Sequence, residues 1–355
     1  MISRRGFLGA GLAAAGGVAA VPLLGSAPAA AAPAVAKVRD LTGLSLTSRF
    51  GAGLTDLGIP ARCPNGSLFY ACGDTFDGDG VGQGTWVAPV GLRSSSANLD
   101  SLVIDGAVGG SHARSLVGEG HVPVSGGSTT AIPSDCFTIG NTMYLHLMRG
   151  LIYQTDHSDF WRSTDNGETW TYLCQWPGSQ YGGQFQQKTY AVGSDGYCYV
   201  LSSVFNRDRD SGLLLFRVRQ DSLGTPSAYQ PWGYANGWAW GNPPTTISPT
   251  KRWGEICFRE IGGKYVLTWF DPASGGIQSQ VLGSPTANVF TTPKQQLIYP
   301  AAPDTQGGNR VAANYGGFIF PGSTLSRLDM AVSQWFGGLG SQDYRVMQYR
   351  VTGLA

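Results

Sequence analysis

Charge is scarce in this chain: of 355 residues only 13% are Asp, Glu, Lys or Arg, and the net charge is +1. A near-neutral chain lacks the basic face that nucleic acid requires, and 42% apolar residues exclude a disordered one. Histidine is scarcer still: His112, His121, His146 and His157 are the only four, and none sits in an HExxH arrangement. No two of the six cysteines form CxxC, which removes the usual structural zinc site, and no metal or other cofactor is expected. No GxSxG elbow is present, so Ser-His-Asp hydrolysis has no support. Helical periodicity is sparse. What abounds is glycine, with 52 residues, together with 10 Trp and 15 Tyr, the composition of many short strands and tight turns.

The N-terminus "MISRRGFLGAGLAAAGGVAAVPLLGSAPAAAAPAVA" places Arg4 and Arg5 before a weakly apolar, Gly/Ala-rich run and Ala-rich cleavage sites. It reads as a twin-arginine export signal. Residues 1–36 are therefore set apart from the fold, and 37–355 are expected to form one secreted domain, of bacterial origin by the nature of the signal. No later stretch is long and apolar enough to span a bilayer as a helix, so no membrane contact is expected of the mature form. Cys63, Cys72, Cys136, Cys174, Cys198 and Cys257 all lie in the mature part. Export permits disulfides, and burial as free thiols is equally consistent with strand positions.

Five strand pairs recur around Gly-containing turns: "GLTDLGIPARCPNGSLFYACGDTF", "AIPSDCFTIGNTMYLHLM", "KTYAVGSDGYCYVLSSVF", "GEICFREIGGKYVLTWF" and "GGFIFPGSTLSRLDMAVSQW". Their second strands start near Ser67, Thr142, Gly196, Lys264 and Ser323, a mean spacing of about 64 residues. Four-stranded antiparallel units repeated radially make a propeller, so the expected fold is all-β, a five-bladed β-propeller. "KVRDLTGLSLTS" (37–48) and "YRVMQYRVTG" (344–353) are strands without hairpin partners of their own. Joining both in one blade would close the ring and remove a free sheet edge. "STDNGETW" (163–170) matches an Asp-box, in which Asp165 serves its own turn and Trp170 packs beneath it.

Counting back from each turn to the axial end of the first strand lands on Asp56, on Ile132 to Asp135, on Gln187, on Glu255, and on Asn314 or Tyr315. Polar groups from distant parts of the chain thus converge on one funnel. Asp74 ends the second strand of the first pair, level with Asp56 across the hairpin. Each Asp alone suits a turn. Together, at one end of one hairpin, they match the paired carboxylates of glycoside hydrolysis, in which one acid protonates the leaving oxygen and the other is base or nucleophile. Asp56 is assigned here to base or nucleophile and Asp74 to acid. Asp77 and Asp79 in "FDGDG" are loop acids, with only a fragment of a calcium loop. His146 alternates with apolar neighbours and is a secondary funnel candidate. The loop "PWGYANGWAWGNPPTTISPTKRW" holds Trp232, Trp238, Trp240 and Trp253, either anchors or sugar platforms, with Trp253 the best placed for substrate.

"GLTDLG…GDTF", "STDNGETW", "WGEICFREIGGKYVLTWF" and "NYGGFIFPGS…MAVSQW" together resemble a family of secreted actinobacterial proteins, formerly a domain of unknown function and now associated with endo-D-arabinanases. The resemblance covers about Lys37 to Ala355, and "TDLG…GDTF" is its most specific part. It implies a five-bladed propeller that cuts α-D-arabinofuranosyl linkages in the arabinan of mycobacterial-type cell walls, with Asp56 and Asp74 as the catalytic acids and a monomer as the working form. A sialidase would need an arginine cluster for the substrate carboxylate; Arg252, Arg259 and Arg310 do not make an obvious one. The other competing readings are an L-arabinan-degrading enzyme and a propeller that holds wall glycan without cutting it.

Overall fold

Runs of four to ten apolar-rich residues, each stopped by a glycine or a short polar turn, pair into five antiparallel sheets. A computed structural model describes residues 32–118, 120–125 and 127–354. The first sheet runs Ile59–Arg62, Leu68–Cys72, Val90–Ser94 and Gly106–Ala107. The second runs Thr130–Ile139, Thr142–Leu151, Gln154–Ser163 and Thr171–Pro177. The third runs Gln187–Val192, Tyr197–Ser203, Leu214–Arg219, Gln230–Tyr234 and Trp238–Trp240. The fourth runs Ile256–Ile261, Lys264–Asp271, Gly276–Leu282 and Gln295–Pro300, with the short Arg310–Val311 at its edge. The fifth runs Asn314–Ile319, Arg327–Phe336 and Asp343–Thr352, and is completed by Ala34–Asp40.

The N- and C-terminal strands therefore share a sheet, with Ala34 opposite Thr352 and Asp40 opposite Met347. Residues 1–31, most of the segment read as an export signal, lie outside the described residues; Ala34–Asp40 takes its last three into the fifth sheet. The strand expected over 37–48 stops at Asp40, and Leu44–Thr47 form one helical turn instead. The Thr47 hydroxyl satisfies the ends of that turn, accepting from Gly43 N and donating to the Ala52 carbonyl at 2.6 Å. The predicted second strands begin within one residue of their expected starts in four sheets. In the fifth the strand begins at Arg327, because the Phe320 to Asp329 connection is a wider loop closed by Phe320 N to Asp329 O at 2.9 Å.

The first strand of each sheet packs beside the first strand of the next, and that of the fifth beside that of the first. These strands are largely buried on both faces, and the polar residues they carry, such as Asp135, Gln187 and Thr189, are buried with them. Between the sheets lie the hydrophobic cores. Phe137, Phe160, Trp176, Tyr190 and Phe216 fill the space between the second and third, and Leu201, Leu215, Ile256, Phe258 and Trp269 that between the third and fourth. All six cysteines are free and buried.

Two polar devices fix the sheets against one another. In the Asp-box loop, Asp165 accepts from Thr169 N at 2.9 Å and from the Thr169 and Ser163 hydroxyls at 2.5 and 2.7 Å. Desolvation opposes the Asp165 charge, but these donors outweigh it and bring its pKa down to about 2. Asn166 of the same loop takes Asn65 N of the first sheet at 3.0 Å, and Trp170 packs on Phe69. Deeper, Asp135 of the second sheet meets both terminal nitrogens of Arg259 of the fourth, at 2.9 and 2.5 Å. The same carboxylate accepts from Thr189 Oγ1 at 2.9 Å and Tyr190 N at 2.6 Å of the third.

Removing one partner of a buried ion pair leaves an uncompensated charge, so Arg259→Ala should lower unfolding stability by about 3–5 kcal/mol. Asp165→Ala, at the rim, should cost about 1–2 kcal/mol. Urea unfolding monitored by tryptophan fluorescence checks both.

Candidate active site

The chain enters the first sheet through a strained corner. Leu54–Thr55 pairs with Thr75–Phe76, which pairs in turn with Trp86–Val87, a small sheet apart from the five. The Thr55 and Thr75 hydroxyls touch at 2.7 Å. Asp56 follows Thr55 and Asp74 precedes Thr75, so one bonded pair of threonines sets both carboxylates at the same end of the hairpin. Leu57 then adopts φ 58°, a left-handed conformation that costs a branched residue about 1–2 kcal/mol. Its N–H donates to Ser333 Oγ at 2.9 Å, which holds the corner in place.

The two acids open into a cleft of about 160 Å³. Glu255 and Arg207 form its charged wall, and Tyr153, Phe205, Trp335 and Tyr344 its aromatic one. Asp56 is half-buried. Its Oδ2 accepts from the Tyr315 hydroxyl at 2.8 Å, and the Tyr344 hydroxyl also faces it. Its Oδ1 is buried without a hydrogen-bond partner among the described residues. Burial, reinforced by the Asp74 charge and to a smaller extent by Glu255, pushes the Asp56 pKa up to about 7 against the pull of the two tyrosines. Asp74 is also raised, first by burial, but its Oδ1 accepts from Trp86 Nε1 at 3.0 Å and has His121 Nε2 at 3.7 Å, and both oppose the shift. Glu255 is ion-paired with Arg207 and accepts from Gly316 N at 3.4 Å. Burial works against the Arg207 charge, yet Glu255 more than offsets it. Tyr153, like Leu57, is a non-glycine residue at positive φ, 62°, and such strain tends to gather at functional sites.

Of the residues expected in the funnel, Asp56, Asp74, Glu255 and Tyr315 come together in this cleft, with Ile132 from the second sheet. The others point elsewhere. Asn314 precedes Tyr315 in one strand, so the two side chains leave opposite faces; its Nδ2 donates to Gly275 O and Val311 O. The Gln187 amide donates to Ser203 Oγ and to Gly254 O at 2.8 Å, supporting the backbone just before Glu255 rather than facing a ligand. Trp253 is buried between the third and fourth sheets, its Nε1 donating to Ser211 O at 3.0 Å, so it offers no sugar platform. His146 is fully buried, 2.5 Å from Ser134 Oγ and 3.3 Å from Lys188 Nζ, and lies outside the cleft. Trp232 and Trp238 stack on the extra hairpin of the third sheet, also away from it. Arg259 is held by Asp135, and the arginine that does reach the cleft, Arg207, is paired with Glu255. Arg207 and Tyr153 come from loops that carry no motif in the sequence, while Phe205, Trp335 and Tyr344 lie at the ends of strand stretches read from it without being singled out as site residues. Among the described residues no three His, Cys, Asp or Glu side chains gather as a metal site, and no helix is long and apolar enough to cross a membrane.

Comparison with known proteins now places the chain. It belongs to the family described as Domain of unknown function (DUF4185), whose pattern matches residues 43–350. A Mycolicibacterium smegmatis protein known as "Uncharacterized 35.9 kDa protein in asd 3'region" is 29% identical over 328 residues, covering 87% of this chain and 95% of that one. "Notoamide biosynthesis cluster protein J" of Aspergillus sp. (strain MF297-2) is 28% identical, covering 88% of each chain. Among solved structures, a protein from Bacteroides ovatus presumed to be a hydrolase superposes with TM-score 0.62 at 14% identity, covering 86% of this chain and 87% of its own. A GH43_1 enzyme from Xanthomonas citri superposes with TM-score 0.52 at 12% identity, covering 83% and 87%. Likeness at these identities concerns fold, which is all-β and propeller-like.

Asp56 has its pKa raised by folding from the usual 3.8 to about 7, so its effect on stability has a definite sign. Below pH 4 the carboxyl is protonated in both states and costs nothing. Between about pH 4 and 7 the unfolded chain ionises this carboxyl while the folded one keeps its proton, so stability falls across that window and levels off above 7. Asp56→Asn should therefore be more stable than the parent at pH 8, by up to about 4 kcal/mol, and equal to it near pH 4. Urea titrations at both values check this. Gly73 offers a second test, since a Cβ there would stand 2.4 Å from Asp56 Oδ1. Gly73→Ala should turn the carboxylate out of place while leaving the fold intact, as judged by near-UV dichroism and loss of the Asp56 effect.

Proposed function

We propose that this DUF4185 protein is a secreted glycoside hydrolase, an endo-D-arabinanase that cuts α-D-arabinofuranosyl linkages within mycobacterial-type arabinan. The reading rests on a single observation: Asp56 and Asp74 open into one cleft that has an aromatic wall and whose arginine, Arg207, is paired with Glu255. A neutral furanose polymer suits such walls, because sugar C–H faces pack on aromatic rings while carboxylates address the glycosidic oxygen. A sialic acid would need a free cationic cluster, which the pairing of Arg207 with Glu255 does not offer. The likeness to glycosidase folds and the relative in a mycobacterial species support the same reading, as does the hairpin resemblance to D-arabinan-cutting proteins.

In the proposed reaction the two carboxyls divide their roles by environment. Asp56 holds its proton to near neutral pH, so it protonates the departing oxygen. Asp74, which receives the Trp86 N–H, is the ionised partner that acts as base. This reverses the assignment made from sequence, in which Asp56 stood on the axial strand as base. Positive charge developing on the ring lies between Asp74 and Glu255. We further read the five sheets as five blades of a propeller, closed by the terminal strands, spanning 37–355 as a monomer and exported by the twin-arginine route to the wall or medium. The order of neighbouring first strands and the shared terminal sheet support that reading.

Purified protein incubated with mycobacterial arabinogalactan should release oligo-D-arabinosides. Asp56→Asn and Asp74→Asn should each lower kcat/KM by about three orders of magnitude or more while remaining folded. The parent's kcat/KM should fall as pH rises past about 7, where Asp56 loses its proton. Retained polymer binding without products would instead identify a glycan-binding protein.

A further inference from the structure

His121 has no part in the chemistry above, yet it stands against one of the two acids. It comes from the segment between the first and second sheets, just before the short pairing of Pro123–Val124 with Gly127–Ser128. Its Nδ1 lies 3.1 Å from the carbonyl of Thr129. A carbonyl only accepts, so Nδ1 carries the hydrogen and Nε2 keeps its lone pair. That Nε2 is buried, has no hydrogen-bond partner among the described residues, and points to Asp74 Oδ1 at 3.7 Å. The ring is clamped on Trp86, with centroids 3.6 Å apart, and Trp86 Nε1 donates to the same Asp74 oxygen at 3.0 Å. The arrangement thus fixes the tautomer, the ring plane and the distance.

We propose that His121 is the proton partner of Asp74: the pair takes up a single proton as the site acidifies, and His121 Nε2 carries it, so that the Asp74 carboxylate stays ionised for the reaction. Asp74 is the charged group that faces His121. Asp74 in turn faces His121, with Asp56 and Tyr344 on its other side. Burial alone would discharge both members of the pair. Each charge opposes that for the other, and the effect is reciprocal. Asp56 cannot substitute, because a carboxyl carries no positive charge in either protonation state. When Asp74 as base takes a proton from water, the proton given by Asp56 to the leaving oxygen balances the one gained, and no other reactant is needed. The inference rests on the catalytic reading of Asp74, but its physical core does not.

The test separates the two. The Cε1–H resonance of His121, identified by its loss in His121→Gln, is titrated by NMR in the full mature protein and in Asp74→Asn. The midpoint should fall by about half a pH unit or more in Asp74→Asn, because the charge that favours the imidazolium has gone. An unchanged midpoint overturns the proposal. If Asp74→Asn does not fold, the carboxyl carbon resonance of Asp74 in His121→Gln serves instead; it should titrate at higher pH than in the parent, and an equal midpoint overturns the proposal. The functional consequence is then read from kcat/KM on D-arabinan. In His121→Gln the acid limb should move to higher pH, since Asp74 protonates sooner, and an unmoved limb overturns the role in catalysis. A parent with no activity on D-arabinan would sink the arabinanase reading, while the NMR result would still decide the coupling.

Discussion

The arrangement of this molecule depends on one buried ion pair, Asp135 with Arg259. The first strands of the second, third and fourth sheets are largely buried on both faces, and apolar contact alone would let them slide. A carboxylate that must satisfy Arg259, Thr189 Oγ1 and Tyr190 N at once admits one relative position. That position delivers Ile132 three residues before Asp135, and Glu255 four before Arg259, to the same cleft. Such a pair adds little net stability over a well-packed apolar replacement. Its contribution here is register, and the site inherits it.

The cleft itself runs against local stability. Leu57 and Tyr153 hold left-handed backbone conformations, and Asp56 buries an oxygen with no hydrogen-bond partner among the described residues. These unfavourable terms lie on the lining of one cleft, while the surrounding cores are conventionally packed. A carboxyl that keeps its proton near neutrality needs this treatment: removed from water, facing a second acid, and held by tyrosine hydroxyls rather than a cation. Glu255, by contrast, is ion-paired with Arg207. Three acids in one cleft are thus set to different tasks by their neighbours.

Much of the fold could be read from the chain because its signals are local. Gly-containing turns between apolar runs marked the paired strands, and the Asp-box spelled out its own hydrogen bonds. The two aspartates were legible for the same reason, since they flank one hairpin and a spacing suffices to find them. Counting from turns also found Glu255 and Tyr315. It failed for Asn314, because a strand turns alternate residues to opposite faces and the count could not tell which faced the axis. It failed for Trp253, whose indole fills the seam between two sheets. Arg207, Tyr344 and His121 were invisible as site residues, because only tertiary contact gives them a role. The acid and base roles were also out of reach: they depend on Tyr315, Trp86 and His121, which lie far from Asp56 or Asp74 in sequence or bear no motif.

The most direct measurement is a crystal structure of Asp74→Asn soaked with a linear D-arabinan oligosaccharide long enough to cross the cleft. The account predicts a glycosidic oxygen within about 3 Å of the Asp56 carboxyl, with furanose rings against Tyr153 and Trp335. An oligosaccharide bound elsewhere, or one whose glycosidic oxygens lie beyond the reach of Asp56, would contradict it.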